Sequence, residues 1–475
     1  MNIQIPKIIQ GGMGAGVSSW RLAKAVSKLG QLGVVSGTAL DQILVRRLQD
    51  GDLGGDIRRA LHAFPFRRLA QRILDAYFIP GGKQPESPYT ITPMHTANDK
   101  HEAQELCIAG NFVEVYLARE GHTNPVGINY LEKIQLPHLP SIYGAMLGGA
   151  AVIIMGAGIP VEVPGVLDAL AQHNATSYPL YVIGAGASDN FRLTFDPAAF
   201  LEPDTHLPEM QRPAFLPIVA SVTLANMLSR KSNGVVDGFI IEGPLAGGHN
   251  APPRGTLKLT PDGQPIYGPR DVVDLAAMRT LGLPFWLAGG YGSPEHYREA
   301  LAEGAAGIQV GTAFALCVES EIVPEIRKAL LLKALTGQAK VFTDPVASPT
   351  GYPFKAAMLE GTLSEKAVYQ ARRRVCDLGF LRELYLCPNG SIGYRCAAEQ
   401  ESIFVAKGGS LENTPGRVCL CNSLIANVGM PQRLPDGSTE PCLITLGDDL
   451  ATVGRFCSLE NLDYSAADVI RILQG

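Results

Sequence analysis

The chain has 475 residues, of which 46% are hydrophobic and 18% charged, and its formal net charge is −5. Such a length fits one large domain with additions, or roughly two to three domains, and the balance is that of a globular enzyme. No basic excess exists to hold nucleic acid or an anionic membrane surface, so neither is expected as a partner.

The opening MNIQIPKIIQGG has neither the apolar core nor the cleavage site of a secretory leader and reads as a strand. A cytoplasmic protein with reduced thiols is therefore expected. Short apolar runs then recur along the chain. They are KIIQGG at 7–12, GVVSG at 33–37, PVGINYL at 125–131, AAVIIMGAG at 150–158, FLPIVAS at 215–221, GFIIEG at 238–243, PFWLAGG at 284–290 and GIQVGT at 307–312. Unbroken Val/Ile/Leu runs mark strands buried on both faces, as in a parallel sheet. Helical patterns lie between several of them. In SPEHYREALAEG at 293–304, Ser293 can cap, Pro294 suits the first helical position and Gly304 can end the helix. Eight such units predict an α/β fold of the (β/α)8 TIM-barrel class. The longest uncharged stretch, Leu139 to Val161, is long enough to span a membrane. Its glycines and Pro160 instead predict a short helix, a turn and a buried strand.

Two regions break the alternation. Residues 41–122, an insertion after strand two, hold basic helical segments (IRRALHAF, FRRLAQRILDAYF) and a proline- and glycine-rich run. It is expected to cover the barrel mouth or to make an oligomer contact. Residues 356–475 form a C-terminal extension of short strands and turns, following a barrel at 1–355. Seven of the nine cysteines fall in this extension: Cys376, Cys387, Cys396, Cys419, Cys421, Cys442 and Cys457. Zinc or an iron–sulfur cluster needs about four converging thiolates, usually with CxxC spacing, which is absent; small buried thiols, and no metal, are expected.

In a (β/α)8 barrel the active site lies at the C-terminal strand ends. Glycines collect there: QGGMGAG after strand one, AGGH after strand six, AGGYG after strand seven and VGT at the end of strand eight. Glycine admits a ligand close to backbone, and the loops after the last two strands commonly hold a phosphate, to which Thr312 could add a hydroxyl.

QGGMGAGVS, AGGH, LAGGYG and QVGTAF followed by ES, in this order, resemble the nitronate monooxygenase (2-nitropropane dioxygenase-like) flavoproteins, relatives of the flavin-type enoyl-ACP reductases. The resemblance spans roughly residues 5 to 350, less the insertion. It implies a barrel with non-covalent FMN. Gln10, Gly11, Gly12 and Met13 would line the flavin ring through backbone, and Asn129 would contact it. Gly247 and Gly248 would lie against the cofactor. Gly289, Gly290, Gln309, Val310, Gly311 and Thr312 would surround the phosphate. His249, reached through a strand end and two glycines, matches the family's catalytic acid/base. A histidine near its ordinary pKa suits proton transfer at a carbon beside a nitro or carbonyl group.

The chain also departs from the family. Glu242 stands where the best-defined nitronate monooxygenases have glutamine, and is more like the enoyl-ACP reductases; it could accept a bond from a ribityl hydroxyl. Arg254, in HNAPPRG, could offset Glu242 or meet an acidic substrate, or lie on the surface. Lys133 is read as a solvated helix lysine rather than a flavin contact. The run FTDPVASPTGYPFKAAM at 342–358 predicts a loop returning over the site, with Tyr352 and Phe354 as its aromatics. The implied reaction is oxidation of an alkyl nitronate with O2. One rival is an enoyl-thioester reductase using NAD(P)H. The other is a partner-dependent subunit of a biosynthetic complex, which would have little use for the glycine loops and His249. A homo-oligomer remains open.

Overall fold

The eight apolar runs become eight parallel strands, each buried because it is covered on both faces. They are β1 (Ile8–Gln10), β2 (Gly33–Ser36), β3 (Val126–Leu131), β4 (Val152–Gly156), β5 (Ala214–Val219), β6 (Phe239–Glu242), β7 (Phe285–Ala288) and β8 (Gly307–Val310). The computed structural model describes residues 4–98, 101–186, 188–203 and 205–475. In it β2 through β8 pair in sequence order and β8 returns to β1. The barrel closes between β1 and the residue before β2, through the bridge Ile9–Leu32 and a 2.9 Å bond from the Gln10 amide to the Leu32 carbonyl. One step further up, the Gln10 side chain replaces the missing ladder. Its Oε1 accepts from Val34 N–H at 2.9 Å, and its Nε2 donates to Val34 O at 3.1 Å and to Ser18 Oγ at 3.0 Å.

Alternation sorts the strand residues. Ile9, Val34, Ile154, Leu216, Ile240 and Trp286 fill the barrel interior. Ile8, Val35, Ile128, Ile153, Phe215 and Ile308 join the larger core beneath the helices. Helices Trp20–Lys28, His101–Arg119, His138–Leu147, Val163–Ala171, Val222–Lys231, Leu275–Arg279 and Pro294–Ala302 follow β1 to β7 in turn. Ser293 caps the last of these as expected, its hydroxyl accepting from the His296 amide. The chain's final helix, Ala466–Gln474, packs against both Trp20–Lys28 and Pro294–Ala302. A barrel's eighth helix belongs between these two, so the extension completes the wall.

The uncharged stretch from Leu139 forms the helix, the turn at Gly148–Gly149 and the strand β4. No described helix is long and apolar enough to cross a membrane. The insertion is helical over Leu40–Gln49, Asp56–Ala63, Arg67–Tyr77 and His101–Arg119. It does not cover the barrel mouth: residues 41–122 supply no lining to the main cavity. They lie beside the barrel and meet the extension instead, where the Ala97 amide donates to the Tyr394 hydroxyl at 2.7 Å and Arg382 bonds the His95 carbonyl. A third excursion was not legible: the hairpin Thr176–Pro179/Arg192–Phe195 between β4 and β5.

Candidate active site

At the C-terminal end of β6 the Gly243 amide bonds the Ala288 carbonyl of β7 at 2.9 Å, and the chain then turns back over the barrel mouth. A Cβ on Gly247 would stand 2.7 Å from the Leu446 carbonyl carbon, so only glycine lets the segment 444–449 of the extension seat there. Gly248 has φ +82°, a conformation that side chains rarely adopt. The next step is a two-residue strand, Gly248–His249, antiparallel to Phe354–Lys355. This is why the apolar strand ends in two glycines and a histidine. The glycines make the reversal, and the pairing fixes the imidazole at the cavity wall.

The His249 ring meets Phe354 edge-on, with centroids 5.0 Å apart at 69°, and its Nε2 lies 2.7 Å from Ser348 Oγ. Burial pulls His249 down to about 4, so at neutral pH the ring is uncharged. This departs from the near-ordinary pKa expected of it. Glu242 moves the other way: burial pushes it up to about 8, only partly offset by the Lys355 ammonium. Lys355, not Arg254, is thus the cation that faces Glu242. Lys355 is itself 1% exposed and held at 2.6 Å by both Thr343 Oγ1 and Asp448 Oδ2. A carboxylic acid and a neutral imidazole therefore share one cavity, with their pKa values driven to opposite sides of neutrality.

The cavity has about 1240 Å³ of free space counted out to its open mouth. It is lined by Gly11, Gly12, Met13, Asn129, Glu242, Gly247, Gly248, His249, Gly289, Gly290, Gln309, Val310, Gly311 and Thr312. Of the residues expected there, Gln10 alone sits beneath it, sealed in the β1–β2 seam. The loop after β1 is pinned by Ser18, whose Oγ accepts from the Met13 amide at 2.9 Å and donates to the Gly11 carbonyl at 3.1 Å. Asn129 Nδ2 donates to the Gly12 carbonyl at 3.3 Å, which leaves Asn129 Oδ1 buried without a partner. Gln309 Oε1 is in the same condition. Two unmet acceptors in one cavity call for a ligand bearing N–H or O–H groups.

At the β7–β8 end, Gly289 and Gly290 have φ +89° and +86°. The Thr312 hydroxyl is already engaged, since its Oγ1 accepts from the Gly447 amide at 3.0 Å and it bonds the Asp449 carboxyl. Burial raises Asp449 above its ordinary carboxylate value. FMN thus fits the residues present. Asn129 and Gln309 can meet its N–H and O–H groups, and the glycine backbones leave room for a phosphate.

Sequence reasoning missed Ser348, Lys355 and the stretch Thr445–Asp449. The loop at 342–358 does return over the site, but Phe354 rather than Tyr352 lines the cavity. Tyr352 stands outside, where Lys133 lies 5.9 Å from its ring centre and 5.6 Å from that of Tyr181. Lys133 is in a turn after β3, not on a helix, and does not reach the cavity. Arg254 lies in a smaller side cavity behind Glu242, its amide donating to Asp271 at 2.8 Å.

The half of the barrel that carries β5 to β8, the His249 loop and the last glycine loops has a recognisable sequence. Residues 208–355 match the nitronate monooxygenase family. A probable nitronate monooxygenase of Bacillus subtilis (strain 168) is 31% identical over 150 residues, which is 32% of this chain and 40% of that relative. Among solved structures, FabK from Thermotoga maritima is 16% identical with a TM-score of 0.47, covering 98% of this chain and 91% of its own. Nitroalkane oxidase from Streptomyces ansochromogenes is 14% identical with a TM-score of 0.46, covering 98% and 94%. The enoyl reductase domain of MlnA from Bacillus amyloliquefaciens is 13% identical with a TM-score of 0.45, covering 98% and 93%. The nitronate monooxygenase match ends at the pairing of Phe354 with His249, so the segments 420–426 and 444–449 that close the cavity lie outside it.

Proposed function

We propose that the protein is an FMN-dependent oxidoreductase that oxidises alkyl nitronates with O2. The observation that carries this reading is His249: a half-buried, neutral imidazole held by Ser348 at the wall of a glycine-lined cavity, within the stretch that matches nitronate monooxygenases. A bound FMN would supply the electron exchange there. The chain's own residues do the rest. Asn129 and Gln309 offer free acceptors that orient the group, the glycine loops admit it, and the segment 444–449 shields it from water. A neutral His249 presents a hydrogen-bonding nitrogen without adding charge, and its ring N–H can hold an oxygen of the anionic nitronate in place.

A second reading, reduction of an enoyl thioester with NAD(P)H, is favoured by Glu242. A carboxyl that keeps its proton up to about pH 8 can give that proton to a carbon or oxygen as the substrate is reduced. The test is anaerobic mixing of the FMN-loaded protein with a nitronate, and separately with NADH and NADPH, followed at the yellow flavin band. Bleaching by nitronate but not by nicotinamide supports the first reading. Bleaching by NAD(P)H alone moves the assignment to the second. A protein that binds no flavin overturns both.

A further inference from the structure

Four of the late cysteines, far apart in sequence, come together in the extension. Cys376 follows the helix Lys366–Ala371, Cys396 follows the hairpin Glu383–Leu386/Ile392–Arg395, and Cys419 and Cys421 flank the first residue of the helix Leu420–Ala426. All four line one small cavity apart from the FMN cavity. Cys396 is 7% exposed and Cys419 8% exposed.

The surroundings suit metal-bound sulfur. Gly379 and Ala398 line the same cavity beside the four sulfurs. A cation stands beside them. The Arg372 side chain is 1% exposed and its Nε bonds Glu440 at 2.7 Å, yet both Nη atoms are buried without a partner, and its charge acts on Cys419. A buried guanidinium with unmet donors calls for anionic charge next to it.

The spacing selects the metal. One zinc ion, with Zn–S near 2.3 Å, would hold its sulfurs about 3.8 Å apart. Among the described residues, the group whose ligand atoms all lie within 4.8 Å of one another is Asp41, His95 and Cys107. No three of these four sulfurs are that tight, and an open space lies between them. We propose that Cys376, Cys396, Cys419 and Cys421 hold an iron–sulfur cluster of the four-cysteine type. Its place is next to the flavin cavity. Leu424, about 4.5 Å of helix rise beyond Cys421, lines that cavity, and Pro349, which lines the cysteine cavity, adjoins the Ser348 that bonds His249.

The test is metal content of the full chain purified without oxygen, with and without its FMN, so that the outcome is separate from the flavin assignment. Iron and acid-labile sulfide near four each per chain are expected, with a fast-relaxing paramagnetic signal after dithionite reduction that a flavin radical does not give. Cys396→Ser and Cys419→Ser should lose most of the iron, while Cys442→Ser, outside the cavity, should keep it. If those variants do not fold, the wild-type stoichiometry decides. One zinc per chain would overturn the cluster, as would no bound metal after reconstitution with ferrous iron and sulfide.

Discussion

His249 and Glu242 show how burial alone separates two titratable groups in one cavity. The unfolded chain binds a proton at His249 below pH about 6.5, whereas the folded protein resists it down to about 4. Stability from this group is therefore whole at neutral pH and is lost as pH falls between those values, by about 2 kcal/mol from pH 7 to pH 5. His249→Asn should abolish that loss in urea melts at the two pH values. It should also retain FMN, measured by fluorescence of the released cofactor, while lowering kcat roughly 100-fold or more; unchanged turnover would reject the role given to this residue. For Glu242 the sign is opposite to that of a salt-bridged acid. The unfolded chain sheds this proton near the ordinary carboxylate pKa and the folded protein keeps it to about 8, so this group's contribution falls as pH rises through that window. If the carboxyl works as a donor, activity falls above about pH 8. Glu242→Gln, which cannot ionise, is expected to flatten both effects in a pH–rate profile and a pH–stability series.

The strands were legible because their pattern is physical: a strand covered on both faces must be apolar throughout, and the glycines that close PFWLAGG and AAVIIMGAG limit each run to strand length. The Gln10 seam was not legible, since a glutamine at a strand end carries no pattern that says which carbonyl it meets. Its two bonds to Val34 stand in for a missing ladder rung. Gln10→Leu leaves both backbone groups of Val34 buried and unmet, and should destabilise by roughly 2–4 kcal/mol. A lower urea midpoint at unchanged slope would show it, and weaker FMN binding should accompany it because the adjoining loop lines the cavity. Among loops, the glycine-rich stretches after β1, β6, β7 and β8 line the cavity. Lys133 was misplaced because a turn residue after a strand follows neither helical nor strand periodicity.

Across the whole molecule, the extension is part of the barrel's construction. Its last helix buries Val469, Ile470 and Leu473 against the barrel's helical wall. At roughly 1.5–3 kcal/mol each, these side chains amount to much of a domain's net stability. A chain ending at residue 464 should therefore be insoluble or lack a cooperative thermal transition, whereas an independent barrel would melt normally. The eight strands, the glycine loops and His249 were determined by sequence alone, because each depends on contacts between neighbouring residues or on a single conformational demand. The neutral state of His249, the pairing of Lys355 with Asp448, the closure of the cavity by 444–449 and the meeting of four cysteines were decided only by tertiary structure. Cys376 and Cys421 are separated by 45 positions, and no local pattern records which distant segments share a cavity. Burial and charge around a side chain come from residues brought together by folding, so its protonation and its partners are properties of the folded chain.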